Sequence, residues 1–256
     1  MSAIIIFDID GVIRDVGGSY RRAIADTVEQ FTQGIYRPTL TDIDKLKSEG
    51  VWNNDWEASQ ELIWRFFKSQ GTSRKELNLD VEATIAFFQS RYCGPDPDNW
   101  TGYITTEPLL VKQEYFSQLK AKSIPWGFFS GAPRLEAEYV LKRLEMYKPV
   151  LTAMEDAPGK PDPTGLFATL TKITSDSHTP VIYVGDTVAD MYTVINARKQ
   201  QDRGFIGVGV LPPHVQANAE MQAIYTRKLR EAGANVVLSN VQELSWEKIE
   251  ELVISA

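Results

Sequence analysis

The sequence is poor in the residues from which thiol and imidazole chemistry is built. It holds one cysteine, Cys93, and two histidines, His178 and His214. A single thiol excludes an intramolecular disulfide, and a lone Cys is ordinarily a small buried hydrophobe. Two histidines leave almost no room for a histidine metal cage or a histidine base relay. Long apolar runs are also lacking: no stretch approaches the roughly 20 residues of a membrane span. The seven residues ahead of Asp8 are too few for a secretory signal and run straight into acidic residues. Positive charge is in deficit, with 27 Lys and Arg against 34 Asp and Glu and a net charge of -7. A nucleic-acid binder would show the reverse, with basic clusters to neutralise phosphates. The expectation is a cytoplasmic protein with no membrane and no nucleic-acid partner. A small phosphorylated metabolite stays open as a partner, because local cations and a metal overcome a weak global field.

What is present is ordinary globular composition, 43% hydrophobic and 24% charged, over 256 residues. That length suits one sizeable domain, or a core with a smaller insert. Short runs rich in Ile and Val at 3–7, 125–129, 150–154, 181–184, 205–210 and 235–238 read as strands buried on both faces. Helical patterns at 133–146, 164–174 and 189–197 lie between them. The alternation predicts an α/β fold with a largely parallel, Rossmann-like sheet. From 17 to 103 the rhythm breaks. Helices are expected there at 19–31, 41–48, 55–70 and 80–92, the last with Val81, Ile85 and Phe88 on its apolar side. The division expected is a core of 1–16 plus 104–256 and a small helical insert of 17–103.

Four signals carry chemistry, each just after an expected strand. In Asp8-Ile9-Asp10-Gly11, residues two apart on extended chain share a side, so two carboxylates meet at the carboxyl edge of the first strand, where open α/β sheets place ligands. Gly11 lets the chain turn sharply. An EF-hand is a poor fit, since Val12-Ile13-Arg14 supplies no further oxygen ligands. In Ser130-Gly131-Ala132-Pro133 a hydroxyl and free N–H groups precede a helix, an arrangement that suits an anion and equally a plain N-cap. Lys160 sits in Gly159-Lys160-Pro161-Asp162-Pro163, a proline-stiffened loop that lacks the glycine pattern of a P-loop. It suits a phosphoryl group, a nucleophilic carboxylate, or simple exposure. In Gly185-Asp186-Thr187-Val188-Ala189-Asp190 two acids four apart share a helical turn, as ligands of a cation or as acids favoured at a helix start.

In their order and spacing these four motifs resemble the haloacid dehalogenase superfamily, and the insert after the first motif is similar to its helical cap, as in phosphoglycolate phosphatase-like and beta-phosphoglucomutase-like members. The resemblance covers nearly the whole chain. It implies that Asp8 is a nucleophile forming an aspartyl-phosphate and Asp10 the acid and base. It implies Mg²⁺ held by Asp8, the Asp10 carbonyl and Asp186, with Asp190 as a further ligand or one step removed. Ser130, the Gly131 N–H and Lys160 would hold the phosphoryl oxygens. Asp10 favours phosphate monoester hydrolysis over attack on carbon, because the dehalogenases and phosphonate-cleaving relatives lack an acid there. A phosphomutase on the same scaffold, or a silent binding protein, are the alternatives.

Substrate choice is less legible. Asn53, Asn54 and Asp55, in the aromatic segment between two insert helices, are candidates for reading substrate hydroxyls; alternatively Asn54 or Asp55 caps the next helix while Trp52 and Trp56 anchor the bundle. Arg14, Arg21, Arg22 and Arg134 lie near the first two motifs. One of them could bind a second anionic group, and at least two are expected on solvated helix faces. The stretch 211–231 is longer than a core connection needs and carries no recognisable chemistry.

Overall fold

A computed structural model describes residues 3–52 and 54–255, so Asn53 lies outside the described residues. The chain forms two compact units, Met1–Asp15 with Leu109–Ala256, and Val16–Pro108.

The first unit is built on six parallel strands: β1 (Ile4–Phe7), β2 (Trp126–Phe129), β3 (Leu151–Thr152), β4 (Val181–Gly185), β5 (Phe205–Val210) and β6 (Val236–Leu238), in the order β3-β2-β1-β4-β5-β6. Alternate side chains go to opposite faces. Ile5, Phe7, Phe128, Ile182 and Val184 join one apolar cluster, and Ile4, Ile6, Phe129, Val181 and Tyr183 the other. Both faces are covered, which is why these strands read as unbroken apolar runs rather than alternating ones. The strand order reverses direction at β1. The chain passes from β1 outward through β2 and β3, then returns to set β4 on the other side of β1. The crevice beyond the carboxyl ends of β1 and β4 is therefore a topological switch point, the place where such sheets bind ligands.

Helices α5 (Gln113–Ala121), α6 (Arg134–Lys142), α7 (Thr164–Ile173), α8 (Val188–Gln200), α9 (Pro213–Gln216), α10 (Ala219–Glu231) and α11 (Trp246–Ile254) complete this unit. The stretch 211–231 is thus two helices. Leu211, Val215 and Leu229 from it bury a small satellite core with Met191 of α8.

The second unit holds α1 (Tyr20–Phe31), α2 (Leu40–Lys47), α3 (Asp55–Ser69) and α4 (Val81–Tyr92). Thr39, Asn54 and Asp80 accept N–H groups at the starts of α2, α3 and α4, satisfying donors that a helix leaves open. Helix α1 packs on α3 and α4. Val81, expected on the apolar side of its helix, is the first residue of α4 and 46% exposed, whereas Thr84, Phe88 and Tyr92 form the buried side. The unit ends at 108 rather than 103. The 3-10 turn Tyr103–Thr106 belongs to it: Ile104 is buried, the Tyr103 hydroxyl donates to Asp26 at 2.6 Å, and buried Glu107 accepts from Ser19 and Tyr92.

Gly165, in the first turn of α7, lets that helix sit directly on β2: a methyl there would lie 2.1 Å from the Phe129 ring. Gly165→Ala gains about 1 kcal/mol of helix propensity, whereas overpacking a filled core costs typically about 1–3 kcal/mol and more when the obstacle is a buried ring. The variant is expected to be less stable in urea denaturation. A midpoint equal to or above wild type would contradict this packing.

Candidate active site

Three strand ends deliver the site. Asp8 follows β1, and its N–H donates to the Val184 carbonyl at 2.8 Å, which ties it beside the end of β4. Asp186 follows β4. Ser130 follows β2, held by its N–H on the Thr152 carbonyl at 3.0 Å. Gly11, at φ 71°, turns the chain immediately beyond the first motif. A Cβ there would stand 2.0 Å from the Asp186 carboxylate, so glycine is needed for space as well as for backbone.

Lys160 joins the pieces. Its Nζ lies 2.8 Å from Asp8 Oδ2 and 2.7 Å from Asp190 Oδ1, with the side chain only 8% exposed. Of the readings open for this lysine, the structure shows contact with the Asp8 carboxylate and not simple exposure. Asp190 opens α8 and is held at every turn. Thr187 and Asp190 form a reciprocal capping box, with the Thr187 N–H and hydroxyl both donating to Asp190 Oδ2, at 2.9 and 2.6 Å. The Tyr183 hydroxyl donates to Asp190 Oδ1 at 2.9 Å. Both Asp190 oxygens are thereby engaged, which makes it the anchor of Lys160. Asp8 Oδ1 accepts the Ile9 N–H at 2.8 Å.

Burial dominates the electrostatics. Loss of water pushes the Asp8 carboxyl up to about 7; the Lys160 charge opposes this, and Asp190 and Asp10 add to it. Asp186 is raised well above the usual carboxylate range, again first by burial and then by Asp190 and Asp8. Asp190 goes the other way. Burial would raise it, but Lys160 and the Thr187 donors overcome that and hold it below its ordinary value. Lys160, which burial alone would discharge, is kept protonated by Asp190 and Asp8.

One carboxylate oxygen from each of Asp8, Asp186 and Asp190 lies within 4.8 Å of the others. An all-oxygen, carboxylate-rich set suits a hard divalent cation such as Mg²⁺. Two of the three are disfavoured as anions without a neighbouring positive charge beyond Lys160, so the residues fit such an ion. Asp10 is not in that cluster: its side chain turns to Arg14, whose Nε donates to Oδ1 at 2.7 Å. The ligand role expected of it is that of its main-chain carbonyl.

The remaining sequence candidates are placed as follows. The Ser130 hydroxyl accepts the Ala132 N–H at 3.1 Å and keeps its own hydrogen to donate. Gly131 is exposed, and a Cβ there would meet nothing within 4 Å. The guanidinium of Arg134 is committed to Glu138 and Asp156 within its own unit. In the second unit, Asn54 Oδ1 caps α3 by accepting from Trp56 and Glu57, and Asp55 pairs with Lys47 at 2.5 Å. Of the four arginines, Arg14 and Arg21 are buried, each on an aspartate, Asp10 and Asp44, whereas Arg22 is exposed and Arg134 partly so. Acid partners offset the burial of Arg14 and Arg21, and Arg22 and Arg134 are the two that keep solvent exposure. Tyr183 and Thr187 were missed by the sequence reading. The Thr-x-x-Asp spacing at 187–190 carries the capping-box signal, whereas a tyrosine inside an apolar strand gives no sign of its hydroxyl's partner.

A sequence-family model described as a haloacid dehalogenase-like hydrolase matches residues 3–198. An imidazoleglycerol-phosphate dehydratase of Phytophthora nicotianae is 31% identical over 242 residues, covering 92% of this chain and 50% of that protein. The chain thus spans about half the length of this curated relative. Among solved structures, phosphatase Tt82 from Thermococcus thioreducens superposes with a TM-score of 0.61 at 21% identity, covering 86% of this chain and 98% of that one. A beta-phosphoglucomutase from Clostridium difficile gives 0.61 at 18%, covering 100% and 98%. At these identities the structures share the fold.

Asp8 generates a pH-dependent expectation. Its folded value of about 7 exceeds the ordinary 3.8, so between these limits the folded state binds more protons than the unfolded state. The stability this confers is present in acid and lost as pH rises through about 7. A divalent cation competes with that proton. Mg²⁺ should therefore raise the melting temperature more at about pH 8 than at about pH 5.5. Equal shifts at both, or none at either, would contradict a cation site at Asp8.

Proposed function

The chain belongs to the haloacid dehalogenase-like hydrolases, and on that premise we propose that it is a Mg²⁺-dependent phosphatase of small phosphate monoesters, acting through an aspartyl-phosphate on Asp8. The observation that carries this reading is Lys160, buried between Asp8 and Asp190 at the switch point of the sheet. A lysine held there orients one carboxylate oxygen and supplies positive charge where a phosphoryl group would arrive.

In the first step an Asp8 oxygen attacks phosphorus. The bond from phosphorus to the ester oxygen breaks, and that oxygen leaves as an alcohol with the proton of Asp10. In the second step water attacks the acyl phosphate and gives a proton to Asp10. The bond to Asp8 breaks, orthophosphate departs, and Asp8 is again a carboxylate and Asp10 an acid. Ser130 and the Gly131 N–H donate to the phosphoryl oxygens alongside Lys160. A Mg²⁺ bound by Asp8, Asp186 and the Asp10 carbonyl, with Asp190 one step removed through Lys160, would offset repulsion between the anionic nucleophile and the anionic ester. Partner and setting follow as in the sequence reading: a small metabolite, in the cytoplasm, with no nucleic acid. Among the described residues no helix is long and apolar enough to cross a membrane.

The name of the dehydratase relative supports a narrower substrate class. Its name specifies an imidazole-bearing glycerol phosphate, and a segment similar to this chain makes up half of that protein. Dehydration removes water from the carbon chain and leaves the phosphate ester intact. A hydrolase working beside it would act on an imidazole-bearing three-carbon phosphate monoester.

The test is phosphate release from a panel of monoesters that includes such imidazole compounds and plain glycerol phosphate, with Mg²⁺ or chelator, for wild type and Asp8→Asn. The expected result is metal-dependent release, reduced at least about 10³-fold in the variant. The imidazole esters should be preferred by about tenfold or more in kcat/KM. No release from any ester by folded protein would sink the hydrolase reading. Release without preference would sink the substrate class alone.

A further inference from the structure

Arg14 is the largest fully buried side chain among the described residues, at 0% exposure. Burying a guanidinium costs several kcal/mol unless it is paired, and a residue needed only to fill space would be apolar. Its neighbours Ile9, Val12 and Ile13 fill space in just that way, all at 0%. Arg14 instead places Nε 2.7 Å from Oδ1 of Asp10, whose carboxylate is 32% exposed.

The backbone around this pair is fixed from both sides. The N–H groups of Val12, Ile13 and Arg14 converge on the Ile9 carbonyl at 3.3, 2.8 and 3.2 Å, and Gly11 N–H donates to the Arg14 carbonyl at 2.9 Å. Arg14 forms an antiparallel bridge with Leu109, beside a 2.8 Å bond from the Leu110 N–H to the Ile13 carbonyl. The loop that carries Asp10 therefore closes on the residue that grips its side chain. Proton transfer to or from a substrate oxygen needs heavy atoms about 2.6–3.2 Å apart and aligned, and a misplacement of about 1 Å can cost about 10²-fold. A partly exposed aspartate left alone would sample several rotamers.

We propose that Arg14 is a positioning residue for Asp10: by occupying Oδ1 it fixes the carboxyl and presents Oδ2 as the oxygen that gives and takes the proton. The inference rests on the hydrolase reading above, in which Asp10 protonates the leaving oxygen. An arginine suits the task because its rigid planar guanidinium aims the Nε–H along one set line, which a rotating ammonium does not.

The experiment compares kcat/KM of full-length wild type, Arg14→Met, Arg14→Gln and Arg14→Lys on two esters. An alkyl phosphate needs the leaving oxygen protonated; p-nitrophenyl phosphate releases a stable phenolate that does not. Because kcat/KM reports the step in which Asp8 is phosphorylated, the two esters separate a failing acid from a damaged fold. In Arg14→Met and Arg14→Gln the alkyl ester should lose about 10²-fold and p-nitrophenyl phosphate no more than about threefold, with Arg14→Lys between wild type and these. If one neutral variant does not fold, the other is read. Equal losses on both esters would mean a structural role and overturn the proposal, as would no loss on either. A crystal structure of a neutral variant gives a readout independent of activity: the Asp10 carboxylate should leave its wild-type orientation, and an unchanged orientation overturns the proposal. Should wild type hydrolyse no ester, the hydrolase reading fails by itself, and this orientation alone decides the role of Arg14.

Discussion

An ammonium group buried between two carboxylates is the constraint on which the rest of the site depends. Lys160 touches Asp8 on one side and Asp190 on the other, and a third acid, Asp186, stands within reach of both. Removed from water, none of these charges would be tolerated singly. Together they form an uneven balance. Asp190 is kept ionised by Lys160 and Thr187, while Asp8 and Asp186 are pushed toward protonation. That unevenness separates a permanent anchor from two groups whose charge a further cation can restore.

The sheet exists, functionally, to hold that balance in place. Asp8 and Asp186 sit at the ends of adjacent central strands whose register is locked by apolar side chains on both faces. Gly11 then permits an approach that any side chain would block. Anchoring continues below the site. Tyr183, pointing from within β4, spends its hydroxyl on Asp190, and the capping box of α8 spends two more donors there. A carboxylate so fully engaged cannot rotate, so the lysine it holds cannot rotate far either. Preorganisation of this kind is what allows fixed charges to favour a transition state without reorganising when it forms.

The second unit follows another logic. Its helices are specified locally, by caps at Thr39, Asn54 and Asp80 and by an apolar side on each helix. Asn54 and Asp55 belong to that local machinery, since one caps α3 and the other pairs with Lys47. This is why a polar segment between helices is weak evidence for ligand contact: starting a helix demands the same residue types.

The sequence by itself determined the six strands, the helices α1–α4 and α6–α8, and the order of the motifs. Six apolar runs became the six strands, and Asp8, Ser130 and Asp186 fell just past three of their ends, because helical and extended periodicity, turns and caps are written in neighbouring residues. The tertiary structure alone decided which strands lie side by side, and with that the meeting of Asp8, Lys160 and Asp190. It alone drew Arg14 beneath Asp10, set Tyr183 against Asp190, turned Arg134 to its own helix and to Asp156, and moved the end of the helical unit from 103 to 108. The reason is physical. Local pattern specifies which face of an element is apolar, but strand adjacency and the partner of a buried polar group come from the closure of long loops. No short window of sequence contains both ends of such a loop.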